Sequence, residues 1–143
     1  MITFQNLSIS FKLQHKQHIK NWIKLVAEKE KKQIGNINYI FCTDEELLDV
    51  NIKHLNHNTY TDIITFDYSE NPKIHGDIFI SVERVLENSS KFKTTFENEL
   101  SRVMIHGILH LCGYKDKSKK DAEQMREKEN SSLKLKQKLS LIS

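Results

Sequence analysis

Residues 99–116 read ELSRVMIHGILHLCGYKD, with two histidines four apart in a strongly apolar run. From Phe96 to Cys112 the apolar side chains Leu100, Val103, Met104, Ile105, Ile108, Leu109 and Leu111 fall on most sides of a helix. A helix that is apolar nearly all round runs through a core rather than along a surface. Thr94 or Thr95 can cap its start, and Gly113 stands where a left-handed C-terminal residue suits glycine. The rest of the chain is expected to pack around this segment.

His106 and His110, at i and i+4, project from one face about a turn apart. One metal ion can take a nitrogen from each. Beyond Gly113 the turn can bring Asp116 back to supply a carboxylate oxygen, which zinc accepts at nearly the length of its nitrogen ligands. Three protein ligands leave a position for water, as in catalytic zinc sites. Cys112 lies two residues past His110 and leaves the other side of the helix. The plain alternative is a core helix that happens to carry two imidazoles. The spacing H-x-x-x-H-x-x-G-x-x-D is also that of metzincin proteases. Those enzymes place a glutamate general base directly after the first histidine, whereas this chain has Gly107. A zinc peptidase or related hydrolase is therefore the second reading.

Working outward, residues 76–81 (GDIFIS) and 61–68 (TDIITFDY) are rich in β-branched and aromatic residues and predict two strands around a turn at Asn71-Pro72. INYIFC at 37–42 predicts a third strand, and Ile2 to Phe11 an edge strand. Ile19, Trp22, Ile23 and Val26 give helical spacing over 14–33, ending before Gly35. Thr43 and Glu46 form a capping box for a helix to about Leu55. A short helix over 82–92 and a last one from Ser118 to about Leu135 complete the set. The expected fold is α+β in one domain spanning 1–143, a small mixed four-stranded sheet against about five helices.

The 143 residues match the usual size of one domain, and 38% hydrophobic with 29% charged residues fits a globular protein. No run approaches the roughly 18 apolar residues of a membrane span. The start, MITFQNLSISFK, shows no basic leader with an apolar stretch, and two cysteines are too few for a disulfide framework. A reducing, cytoplasmic setting is expected. The net charge of +3 is uneven, with seven lysines between Lys12 and Lys32 and a further surplus from Lys117 to Lys138. Such faces attract phosphate backbones, although they also serve simply as solvated surface.

Residues 99–116 resemble the signature of the YbeY family of endoribonucleases, H-G-x-L-H-L-x-G-Y-D-H, through His106, Gly107, Leu109, His110, Leu111, Gly113 and Tyr114. Thr61, Asp62 and Phe66 resemble that family's T-D-V-L-S-F strand; Gly76, Asp77, Ile78, Ile80 and Ser81 resemble its G-D-I-x-I-S strand. Leu55, Asn56 and Met125 fall at matching places. The resemblance covers roughly Leu47 to Glu129 and implies a compact α+β fold holding one zinc ion. It further implies a single-strand-preferring endoribonuclease that matures the 3′ end of small-subunit ribosomal RNA and acts in ribosome quality control. Ribosomal RNA and the small subunit are thus the expected partners, with neither DNA nor a membrane.

Two departures stand out. The family's third histidine ligand is Asp116 here; the shifted alignment would place Lys117 there, and a protonated lysine is a poor ligand. The arginine that family members carry shortly after Leu-Asn is missing from LNHNTYTD (55–62). His57, Lys53, Lys73 and Arg102 are the candidate substitutes for holding phosphate. Without such a cation, a non-catalytic, zinc-stabilised RNA-binding ribosome factor is a further alternative. Glu99, two turns before His106, could accept from an imidazole or serve only the helix dipole. Asp62 and Asp77 read as turn hydrogen-bonders at strand starts, His54, His57 and His75 as loop histidines. Phe66, Tyr68 and Phe79 read as core rather than base-stacking residues.

Overall fold

A computed structural model describes residues 1–142. Among these, the order is β1 (Ile2–Asn6), α1 (Lys16–Lys29), β2 (Gln33–Cys42), α2 (Asp44–Leu55), β3 (Ile63–Asp67), β4 (Lys73–Ser81), α3 (Val82–Lys91), α4 (Phe96–Leu111) and α5 (Lys119–Ile142). The strands form one sheet in the order β1-β2-β4-β3. β1 and β4 both run parallel to β2, and β3 returns antiparallel to β4, giving the expected mixed α+β sheet.

The caps read from sequence are in place. Thr43 and Glu46 form the reciprocal box of α2, Thr95 accepts from Asn98 N, and Ser118 Oγ accepts from Asp121 N at 3.0 Å. Gly113 follows α4 with φ 110°, a value that disfavours any side chain.

Several boundaries differ from expectation. β1 ends at Asn6, where Leu7 N makes one last bond to Phe41 O and Asn6 Nδ2 turns to Phe11 O. Phe11 instead packs edge-on against Phe41 and Phe96. Helix α1 stops at Lys29 and the chain turns through Lys31, at φ 59°. Gly35 does not end the helix; it lies inside β2 at an irregularity between Ile34 and Ile37. The ring of His75 lies so close that a Cβ at Gly35 would fall 2.2 Å from it, while its Nδ1 accepts from Asn36 N. Asp77 sits within β4 rather than at its start and accepts from Asn38 Nδ2 at 2.9 Å. Helix α5 continues past Leu135 to Ile142.

Helix α4 is the axis its composition predicts. Met104, Ile105, Ile108 and Leu109 are almost wholly buried, joining Trp22, Ile23, Ile37, Tyr39 and Ile78 in one core. Each such apolar side chain contributes about 1.5–3 kcal/mol. The Tyr39 hydroxyl donates to Met104 O at 2.9 Å, so the sheet grips the helix backbone inside the core. Trp22 Nε1 donates to Ser132 O at 2.7 Å, which ties α1 to α5 and sets the two lysine-rich stretches on neighbouring helices.

Gly107 marks the closest approach of α4 to the sheet. A Cβ there would lie 2.9 Å from Ile78 Cδ1 and 3.3 Å from Ile63 Cδ1. Position 107 thus faces packed isoleucines, and a catalytic glutamate would have no room. Gly107→Val should lower unfolding free energy by about 1–3 kcal/mol through overpacking. Urea denaturation measures it, and an unchanged midpoint would show that the helix can move off the sheet without cost.

Candidate functional site

A cavity of about 680 Å³ opens beside the exposed flank of α4. His106, His110 and Asp116 all line it, as do Asp62, Glu99, Arg102, Arg126 and Glu129. The i,i+4 spacing places both imidazoles there, and the turn after Gly113 returns Asp116 to the first. His106 Nε2 and Asp116 Oδ2 stand 3.3 Å apart. Two ligands on a tetrahedral zinc ion, at about 2.0–2.1 Å each, are separated by about 3.3–3.4 Å. This pair therefore fits one edge of such a site. Among the described residues no set of three His, Cys, Asp or Glu side chains converges on one metal position. His110 shares the cavity without completing a triad.

The other ring nitrogen of His106 is fixed. Its Nδ1 lies 2.7 Å from Glu129 Oε2, the kind of carboxylate contact that orients imidazoles in metal sites. Burial alone would pull the imidazole pKa down, but the hydrogen bond and charge of Glu129, with Asp116 and Asp62, carry it above its ordinary value. Burial pushes the Glu129 carboxyl upward, yet His106 and Arg102 together hold it below the usual carboxylate range. Arg102 Nη1 donates to Glu129 Oε1 at 3.0 Å and Nη2 to Asn130 at 2.9 Å. Asp62 is raised chiefly by burial, and Glu99 by burial and then by Asp62. The site gathers several carboxylates and charges only some of them cheaply.

The sequence-derived candidates separate cleanly. Glu99 is buried in the cavity wall, but the acceptor for His106 is Glu129 on α5, not Glu99. Asp62, read as a turn residue, lines the cavity. His57 lines it too. His54 sits edge-on to Phe66, and His75 lies over Gly35, both away from the cavity lining. Lys53 pairs with Asp49 in solvent, and Lys73 starts β4 beside Glu70. Phe66 and Phe79 pack together in a small second core, whereas Tyr68 is exposed rather than core. Cys112 packs on the main core, and its thiol is pushed up to about 12 mainly by burial, so it offers no thiolate.

Sequence reasoning missed Glu129, Arg126 and Phe92. For Glu129 a signal existed. It lies four residues after the apolar Met125, so both share one face of α5, and a carboxylate on a buried face needs a cation. Phe92 caps α3, reaches the cavity and is 57% exposed, large for an aromatic.

Comparison with known proteins gives this chain a class, hydrolases that cut RNA. The family model described as Endoribonuclease YbeY matches residues 1–137, and the chain belongs to that family. A relative from Flavobacterium psychrophilum bearing the same description is 55% identical over 94% of this chain and 96% of its own. One from Bacteroides fragilis is 50% identical over 92% and 95%. The solution structure of a Thermotoga maritima protein superposes with a TM-score of 0.65 at 29% identity, covering 92% of this chain and 86% of that one.

Glu129 is buried and pairs with the Arg102 guanidinium while holding the His106 ring by a hydrogen bond. Removing one partner of a buried pair costs about 3–5 kcal/mol. Glu129→Ala should lose about that much stability in urea, against little for Glu127→Ala on the exposed side of the helix. Equal losses from the two would rule out the network as a structural support.

Proposed function

We propose that this chain is a zinc-dependent endoribonuclease that cleaves single-stranded RNA in the cytoplasm, acting on the 3′ end of small-subunit ribosomal RNA and in ribosome quality control. The observation that carries the metal centre is the orientation of His106. Glu129 fixes one ring nitrogen, and the other meets Asp116 at the separation of two zinc ligands. His106, His110 and Asp116 would hold one zinc ion per chain, with His110 turning toward the pair. Two imidazoles and a carboxylate suit zinc better than magnesium or calcium.

Bound zinc supplies a Lewis acid that polarises a phosphoryl oxygen and acidifies water. The chain's own residues do the rest. Glu129 keeps the His106 ring from rotating, and Arg102 keeps Glu129 in place. Asp62, its carboxyl raised by burial, stands in the cavity wall as a group able to hold or pass a proton. Phe92 and Leu55 present apolar surface at the cavity, where an unpaired base can stack. The lysines of α1 and α5 add a basic face that favours a polyanion. Gly107 packed on the sheet disfavours the peptidase reading, since no general base can stand after the first histidine.

Purified protein should cut a single-stranded fragment of small-subunit ribosomal RNA, and an identically prepared His110→Ala protein should not. RNA binding without turnover in the parent would favour a non-catalytic ribosome factor. Asp116→Ala should lower zinc affinity by more than the 10–100-fold that follows loss of an outer partner. Affinity equal to that of the parent would remove Asp116 from the ligand set. Phe92→Ala should weaken binding of single-stranded RNA by about 1–3 kcal/mol per lost stack and leave duplex binding unchanged. Equal weakening of both would mean that Phe92 reads no bases.

A further inference from the structure

A side-chain cation at the scissile phosphate would stabilise the charge that develops there, and the segment 55–62, LNHNTYTD, offers no arginine. The structure narrows the substitutes. Lys53 and Lys73 do not line the cavity. Arg102 does, but two hydrogen bonds hold its guanidinium on Glu129 and Asn130, and its side chain is only 19% exposed. Releasing it would abandon the carboxylate that orients His106. Arg126, one turn before Glu129 on α5, differs on each point. It lines the cavity, its side chain is 60% exposed, and its one ion pair among the described residues, to Glu129 Oε1, is long at 3.7 Å. That same oxygen already accepts from Arg102 at 3.0 Å, so Arg126 can leave it without stranding the carboxylate.

We infer that Arg126 is the cation that grips the scissile phosphate, supplied from the C-terminal helix instead of the α2–β3 loop, with Arg102 as a positioning residue behind Glu129. A guanidinium suits this role because its planar fork donates two bonds to phosphate oxygens and stays charged throughout. The inference rests on the nuclease reading above, and the test separates the two.

Cleavage and binding of the same single-stranded RNA would be measured for the parent, Arg126→Ala, Arg126→Lys and His57→Ala. If the parent cuts, Arg126→Ala should lose about 10²–10³-fold in kcat with zinc content and urea midpoint unchanged, and Arg126→Lys should recover part of the rate. Full activity in Arg126→Ala overturns the assignment, and a matching loss in His57→Ala alone moves the role to His57. If the parent binds but does not cut, the nuclease reading fails by itself. The phosphate contact then stands if Arg126→Ala binds more weakly with a salt slope reduced by about 0.7. It falls if affinity and slope are those of the parent.

Discussion

The cleft depends on one buried carboxylate. Glu129 reaches from α5 to α4 and uses its two oxygens differently, one for His106 and one for Arg102. Removed from water, the carboxylate would be costly alone; the hydrogen bonds from the His106 ring and the Arg102 guanidinium hold it ionised. The arrangement fixes how far α5 stands from α4, which way the His106 ring points and where the arginines lie. Hydrophobic packing beneath it supplies most of the free energy but would tolerate small shifts; a charged hydrogen bond at 2.7 Å would not.

This division of labour explains the shape of the molecule. The sheet and α4 make a rigid wall, with Gly107 allowing the helix to settle on Ile78 and Tyr39 anchoring its backbone. The cavity opens on the flank of α4 that carries Arg102, His106 and His110. The other lip comes from the α2–β3 connection, the end of α3 and helix α5, all more exposed. Of these, α5 is fixed to α4 through Glu129, while Phe92 and Arg126 stand exposed at the cavity.

Much of this was legible in the sequence because the signals are local. The apolar wrap of 100–111, the caps at Thr43, Thr95 and Ser118, and the i,i+4 histidines all act over one or two turns. The misread features depend on distant partners. Gly35 looked like a helix terminator, yet its smallness answers to His75, forty residues away. Glu99 shares the right face of the right helix, but the contact belongs to Glu129, and only the tertiary placement of α5 decides between them. Asp62 reads as a turn former until β3 and α4 enclose it. Strand ends at Asn6 and Gln33 were missed because pairing with a neighbour, not local propensity, sets where a ladder stops.

The placement of Glu129 and Arg126 after every strand has a consequence for how the molecule comes into being. A chain made from its N-terminus lays down the whole sheet and α4 before α5 exists. Until then His106 has no partner to orient it, and Asp116 has only just followed. An incomplete chain can own a core without owning a cleft, because the wall that carries Arg126 and Glu129 arrives only with α5.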